Sequence, residues 1–263
     1  MENENVEQKD SLIEEFYKEA KKLNFEILGL YTASHYVLSL GSDSKLIGRI
    51  FEIIAKELVM KLAEKIKYDF EESKSQTSYP DYTLSKKGGK RIAIDIKTTY
   101  RSYKNGALEP LVFTLGSYAS YLRNEKGIGH IEHPYNEYEK HYVIGFIYDR
   151  NEEIKAGTKI PLRKLFFCRN SLYLPFKNVQ YFMQEKYKIA GDKPASGDTQ
   201  NMGSIVSPNI DDFIYGNGIF AKTGNAEFEE YWRGYPTNKT KVKDQHYITY
   251  TEFLKYKAKT NNS

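Results

Sequence analysis

Asp81, Asp95 and Lys97 are the residues whose types and spacing best suit a chemical reaction in this sequence. Asp81 follows Pro80, and one residue separates Asp95 from Lys97 in the strand-like stretch RIAIDIKTTY. A hairpin can bring such carboxylates together, and strand residues two apart share a face. Two carboxylates and a scissile phosphate offer the oxygen ligands that Mg²⁺ prefers.

A lysine at such a site can orient or help to deprotonate an attacking water, and it can offset charge that develops on the phosphate oxygens. The spacer between the two acids is of free length, and short acid-x-lysine strings are common. The pattern alone is therefore equally compatible with a surface hairpin that carries one cross-strand salt bridge.

Two amphipathic helices are predicted before this hairpin. Ser11 and Glu14 form a capping box ahead of apolar residues at helical spacing. In LGSDSK, Ser42 or Asp43 can cap a second helix, whose apolar stripe leaves Glu52 outside it. The stripe consists of Leu46, Ile47, Ile50, Phe51, Ile54, Leu58, Leu62 and Ile66.

The rest of the chain predicts a mixed α/β fold. Gly88 and Gly89 supply the turn of a hairpin. A helix is expected near residues 117–124, and the Gly-, Ser- and Asp-rich stretch 189–218 is expected to be a long functional loop. The predicted strands cover residues 79–84, 91–100, 141–148 and 165–167.

Length and composition indicate one folded domain, residues 1–263. Hydrophobic residues make up 40% of the chain and aromatic residues 14%, which supports a substantial core. The net charge of +4 does not by itself require an anionic partner. Lysines gather at 86–91 and 239–259, where they can contact phosphates, although such runs more often form a solvated face.

A single cysteine, Cys168, excludes an intramolecular disulfide and a multi-thiolate metal site. The stretch MENENVEQKD lacks the features of a signal peptide, and no apolar run approaches the ~18 residues of a membrane span. We therefore expect a soluble cytoplasmic protein without a membrane partner.

Several longer motifs share an order and spacing with a known family. From about residue 40 to 233, the chain resembles the EcoRV family of type II restriction endonucleases, in the PD-(D/E)xK nuclease superfamily. The motifs are LGSDSKLIGRIFEII, YPDYTL, IAIDIKTTY, FTLGSYASYLRN, IAGD, SGDTQNMGSI, GIF and YWR.

The resemblance implies a restriction-endonuclease-like fold, with a mixed central β-sheet flanked by helices. It implies a homodimer that cuts both strands of a short DNA palindrome with Mg²⁺, at GATATC, leaving blunt ends and 5′-phosphates. A cognate DNA methyltransferase is the expected functional partner. Residues 11–78 would form a largely helical part for dimerisation and the active site, and residues 79–263 the catalytic sheet and DNA-binding loops.

The resemblance also assigns active-site roles. Asp81 and Asp95 match the family's metal-binding acids, Lys97 its catalytic lysine, and Glu52 a helix glutamate that shares the metal site. Without the resemblance, Glu52 would be an exposed residue paired with Arg49 or Lys56 along its helix.

DNA-binding roles follow from the same match. Ser75, Gln76 and Thr77 occupy a loop that lies along the minor groove, although Thr77 and Ser78 replace the family's Asn and His. Residues 195–199 occupy the loop that enters the major groove, and they read Ala-Ser-Gly-Asp-Thr where the family pattern reads Gly-Ser-Gly-Asn-Thr. The complete set is Lys45, Ser75, Gln76, Thr77, Thr98, Thr99, Ala195, Ser196, Gly197, Asp198, Thr199, Asn201 and Arg233.

Two alternatives remain open from the sequence. A repair or junction nuclease of the same superfamily would need the catalytic core but not the 189–206 loop. A DNA-binding module without catalysis would have little use for Lys97 beside two acids. His130 and His133 form an HxxH pattern without a third ligand, so we expect two surface loop histidines.

Overall fold

The structure is a computed structural model that describes residues 10–123, 130–167, 174–195, 200–236 and 246–260. The helices are α1 Ser11–Ala20, α2 Ser44–Ile66, α3 Leu162–Phe167, α4 Lys186–Ile189, α5 Asp211–Ile214, α6 Asn225–Gly234 and α7 Tyr250–Thr260. A π-helical turn covers Tyr118–Leu122, and a 3₁₀ turn covers Tyr135–Glu137.

The strands are β1 Gly29–Tyr31, β2 Tyr36–Ser39, β3 Asp69–Glu72, β4 Tyr82–Ser85, β5 Arg91–Tyr100, β6 Tyr103–Lys104, β7 Ala107–Leu108, β8 Thr114–Ser117, β9 Tyr138–Arg150, β10 Lys159–Pro161, β11 Phe176–Glu185, β12 Ala190–Pro194 and β13 Asn201–Ser204. The central sheet has the order β11-β9-β5-β4-β3. Only β5 and β9 pair in parallel, so the sheet is mixed. Smaller sheets join β1-β2-β10, β12-β13-β8 and β6-β7.

The two faces of the central sheet carry separate apolar cores. Ile92, Ile94 and Ile96 of β5 pack with the buried stripes of α1 and α2. Ala93, on the opposite face, belongs to a second buried cluster that also includes aromatic residues of α6 and α7. The alternation predicted for residues 91–100 is therefore confirmed, because one face of β5 supports α2 and the other is left for Asp95 and Lys97.

The first two helices of the chain, α1 and α2, each begin directly after an aspartate. The Asp43 side chain accepts from the N–H groups of Lys45 and Leu46, as predicted for α2. The predicted capping box of α1 is wrong, because Asp10 rather than Ser11 caps that helix and accepts from Leu12 N–H. Asp10 and Ser11 are adjacent residues that can each cap a helix, and the helix begins after Asp10.

Two other element predictions are wrong. Residues 165–167 lie in α3, which begins directly after Pro161 ends β10, rather than in a strand. The stretch 189–218 contains β12, β13 and α5 rather than a plain loop. Its glycines permit close strand contact, since a Cβ on Gly203 would lie 2.5 Å from the Lys193 carbonyl oxygen.

The remaining element predictions are confirmed with shifted ends. The strand predicted at 141–148 extends over Tyr138–Arg150, and the strand predicted at 79–84 is β4, which begins at Tyr82. The helix predicted near 117–124 is the π-helical turn Tyr118–Leu122, and Asn124 lies outside the described residues. None of the helices in the described ranges is long and apolar enough to cross a membrane. The single-domain assignment stays a prediction.

Candidate active site

Asp81, Asp95 and Lys97 line one cavity of 360 Å³. Asp95 and Lys97 lie in the middle of β5, where pairing with Val143 and Gly145 of β9 fixes their positions. Asp81 directly precedes β4, the other neighbour of β5. The hairpin therefore brings the two acids and the lysine together, as predicted.

Short polar contacts hold these side chains in place. The Ile96 N–H donates to Asp81 Oδ2 over 2.6 Å, which ties the first acid to the strand that carries the second. Lys97 Nζ lies 2.8 Å from Asp95 Oδ2, and the Asp95 side chain is 4% exposed. This ion pair differs from the cross-strand salt bridge of a surface hairpin that the sequence left open, because both partners lie on β5 and Asp95 is buried.

The two acids repel one another in this poorly solvated place. Burial first, and the Asp95 charge second, raise the pKa of Asp81 to about 7, against the opposing effects of Lys97 and the Ile96 N–H. Burial lowers the pKa of Lys97, but the charges of Asp95 and Asp81 outweigh it and raise the pKa above its usual value. Lys97 is therefore an ammonium at neutral pH in this site.

Glu52 lies near the acid pair and has a partner of its own. It lines a second cavity together with Asp81 and Gln76, and the Tyr82 hydroxyl donates to its backbone carbonyl over 2.8 Å. Arg49 Nη1 donates to Glu52 Oε2 over 2.6 Å. Glu52 therefore pairs with Arg49 and lines a cavity that it shares with Asp81, and its place in a metal site stays a prediction.

No group of three or more His, Cys, Asp or Glu side chains within the described ranges is arranged to hold a metal ion by itself. Asp81 and Asp95 supply two carboxylates, which is the number that Mg²⁺ commonly takes from a protein when phosphates and waters complete its shell.

The comparisons with known proteins agree with this geometry. The model of the family described as "Restriction endonuclease EcoRV" matches residues 21–258. The type II restriction enzyme EcoRV of Escherichia coli is 40% identical over 230 residues, which cover 86% of this chain and 88% of that enzyme. The chain belongs to the EcoRV family.

It is therefore a type II site-specific deoxyribonuclease that acts on DNA, and the central mixed sheet with its flanking helices is the restriction-endonuclease-like fold. A solved structure of the NlaIV restriction endonuclease is also similar, with a TM-score of 0.36 and 13% identity over 85% of each chain. A similarity this low carries no argument of its own.

The predicted DNA-binding residues lie at several different places in the structure. Gln76, Thr77 and Asn201 line the cavity of Asp81 and Asp95. Ser75 lines the smaller cavity, together with Glu52. Thr98 and Thr99 follow Lys97 on β5 and are half-buried, and Lys45 is exposed in the first turn of α2.

Arg233 is not among the residues that line either cavity. It donates to Glu229 and to the carbonyl of Leu122. Ala195 is buried, and its N–H donates to the Asn201 carbonyl over 3.0 Å. Ser196, Gly197, Asp198 and Thr199 lie outside the described residues.

The structure adds cavity residues to which the sequence gave no role. Ser117 and Ser120 come from the FTLGSYASYLRN motif, which carried the resemblance without an assigned residue. His130 is exposed as expected, yet it also lines the cavity and bonds Thr77 Oγ1 at 3.2 Å. His133 instead bonds Glu71 at 2.9 Å. The HxxH spacing gave no indication that its two histidines contact different elements.

Proposed function

We propose that this EcoRV-family enzyme hydrolyses DNA phosphodiesters in a Mg²⁺-dependent reaction at Asp81, Asp95 and Lys97. The observation that carries the proposal is the buried acid pair with Lys97 at its side, in a cavity that also includes Gln76 and Asn201. The raised pKa of Asp81 supports a cation at this place, because a divalent cation between two carboxylates relieves their repulsion.

Asp81 and Asp95 would hold Mg²⁺, with Glu52 as a further ligand on the helix side. When bound, Mg²⁺ polarises the scissile phosphate and lowers the pKa of a water that attacks it. Because the Arg49 guanidinium binds Glu52 Oε2, Glu52 would meet the cation through Oε1 or exchange Arg49 for it.

Lys97 contributes charge and a proton at Nζ. Its ammonium can offset charge that builds on the phosphate oxygens. It can help to deprotonate water only after the negative charge of the acids has been neutralised, because that charge holds the proton on Nζ. The Ile96 N–H keeps one Asp81 oxygen in place, so that the carboxylate presents its other oxygen to the cavity.

We propose that the enzyme acts as a homodimer, because a palindrome has the two-fold symmetry that a dimer supplies. Exposed apolar residues support a contact between copies on the helical part of the chain. Leu46, Ile53 and Met60 recur every seven residues along α2 and are 40%, 60% and 48% exposed. Sedimentation at micromolar concentration should give twice the chain mass of 30.6 kDa, and a mass equal to one chain would contradict the dimer.

The proposed recognition sequence is GATATC, cut to blunt ends with 5′-phosphates. Ser196, Gly197 and Thr199, which match the family pattern, support this site. A cognate methyltransferase would protect the same sequence in the host genome. Asp198 is the main departure, since an ionised aspartate can only accept from a base amine, whereas asparagine can also donate.

Digestion of plasmid DNA with Mg²⁺ or with EDTA, followed by sequencing of the cut ends, tests the proposal. We expect discrete fragments that end in GAT and ATC, only with Mg²⁺, and that ligate without phosphorylation. A smear of random ends would favour a repair or junction nuclease, and intact DNA a binding module. Discrete ends of another sequence would overturn the site and leave the catalytic assignment standing.

A further inference from the structure

Lys186 is a buried cation packed against an aromatic ring that lines the cavity of the acids. It is the first residue of α4, directly after β11, and it is 1% exposed. Its Nζ lies 3.9 Å from the centre of the Tyr79 ring and 5.6 Å from that of Tyr121. Among the described residues, no acceptor forms a hydrogen bond to this Nζ.

The Tyr79 ring connects Lys186 to the cavity. Tyr79 stacks on Tyr121 with ring centres 4.3 Å apart, and both residues line the cavity of the acids. The Tyr79 hydroxyl bonds His141 Nδ1 at 2.7 Å. Tyr79 also lies two residues before Asp81, so the ring that supports the ammonium belongs to the segment that positions this acid.

A buried ammonium without a carboxylate contact is costly, so its surroundings must compensate. The Tyr79 face offers a cation–π contact. Burial lowers the pKa of Lys186 to about 7; the charges of Asp95 and Asp81 oppose this shift, and that of Lys97 adds to it. The titratable and charged groups around Lys186 are Tyr79, Tyr121, His141, Asp81, Asp95 and Lys97.

We propose that Lys186 is a positioning residue of the active site: an internal counter-charge that balances Asp81 and Asp95 from within the fold and opposes the divalent cation that these acids bind. The inference rests on the metal site proposed above. Removal of the ammonium should therefore tighten cation binding, whereas a purely structural lysine would leave the affinity unchanged or weaken it.

The test compares Lys186→Met with Lys188→Met. Lys188 is a cation of the same short helix that pairs with Glu185 at 3.3 Å, so its variant makes the same change in net charge. Mn²⁺ binding to each full-length protein is measured by electron paramagnetic resonance, with Asp95→Ala as the variant that lacks the site. Thermal melting checks that each variant is folded.

At pH 6.5, where Lys186 is mostly charged, Lys186→Met should bind Mn²⁺ about tenfold more tightly than the wild type. The ratio should approach one at pH 8.5, because the wild-type amine is then neutral. Lys188→Met should match the wild type at both pH values. Affinity of Lys186→Met within twofold of the wild type at pH 6.5, or weaker, would overturn the inference.

A second measurement needs no variant at position 186. In wild-type protein with carbon-13-labelled lysine, one ε-carbon should titrate near pH 7, and saturating Mg²⁺ should lower its midpoint. Absence of such a signal, or a midpoint that Mg²⁺ leaves unchanged, would overturn the proposal that Lys186 acts as a counter-charge. Equal Mn²⁺ binding by the wild type and Asp95→Ala would instead show that the proposed metal site is wrong, and the inference with it.

Discussion

Two regions border the same cavity but are built differently. One is the hairpin of β4 and β5, which carries the proposed catalytic residues; the other is the pair of strands β12 and β13, called here the recognition segment. β5 lies in the middle of a five-stranded sheet, where its aliphatic face packs under α2 and β9 pairs with it along its whole length. β12 and β13 are short, and their pairing shifts register between Ala190 and Pro194. The proposed reacting groups are therefore fixed by the main core, whereas the residues proposed to read bases come between two short strands in the sequence.

This difference predicts how the two regions respond to substitution. Changes in the hairpin should remove cleavage at every sequence. Changes between β12 and β13 should alter which sequence is cut while the reaction itself is retained.

Asp95→Ala should have the largest effect, a loss of at least about a thousandfold in single-turnover cleavage, because the metal loses a ligand and Lys97 loses its partner. Asp69→Ala is the matched control, since Asp69 is an exposed acid on β3 of the same sheet. A cleavage rate of Asp95→Ala within tenfold of the wild type would show that the assigned site is wrong.

Lys97→Ala should fold and be comparably inactive, and Lys97→Arg separates the two roles of the lysine. Arginine keeps the positive charge but does not give up a proton near neutral pH. If charge on the phosphate is the main requirement, Lys97→Arg should recover part of the single-turnover rate. If proton transfer is required, Lys97→Arg should be as slow as Lys97→Ala. A wild-type rate in Lys97→Ala would exclude Lys97 from the reaction.

Asp81→Asn should inactivate the enzyme and stabilise it without metal, by roughly 1–3 kcal/mol at pH 8. The folded-state pKa of about 7 lies above the usual aspartate pKa of 3.8, so the folded protein holds this proton more tightly than the unfolded chain does. The contribution of Asp81 to stability is therefore greatest below the unfolded-state pKa. It falls as the pH rises from the unfolded-state pKa to the folded-state pKa, and it stays constant at higher pH.

Urea denaturation in EDTA at pH 5 and pH 8 measures this effect. The wild type should lose more stability than Asp81→Asn between the two pH values. Equal losses would mean that burial and the Asp95 charge do not raise the pKa of Asp81 in the folded protein.

Asp198→Asn should have the smallest effect on rate and the clearest effect on specificity. If Asp198 points away from the bases, both proteins cut GATATC equally. If it reads a base, the variant should shift preference at an outer pair by roughly 1–3 kcal/mol. Sequenced ends from a digest of complex DNA distinguish the two cases. Loss of all cleavage in this variant would contradict the claim that changes between β12 and β13 alter specificity without removing the reaction.

The sequence predicted the catalytic part of this fold well because its signals are local. Ile92, Ile94 and Ile96 alternate with Ala93, Asp95 and Lys97, and that periodicity alone defines a strand with one apolar and one functional face. The recognition segment was predicted as a loop because the partners of β12 and β13 include β8, which is remote in the sequence.

The positions that the fold gives to Glu52, His130 and Lys186 could not be read from their neighbours in the sequence. Each depends on contacts between distant elements: Glu52 with the β4 edge, His130 with Thr77, and Lys186 with the Tyr79 ring. A lysine at position 186 between Glu185 and Tyr187 reads as a surface residue, and only the packing of α4 reveals that it is buried.

The most direct test of the central claim is the position of the metal. Crystals of the Lys97→Ala variant with a GATATC duplex and Mn²⁺ should give an anomalous peak between the carboxylates of Asp81 and Asp95, about 2–2.5 Å from an oxygen of each. A peak bound by other residues alone, or DNA bound at the cavity without a peak at this pair, would contradict the account.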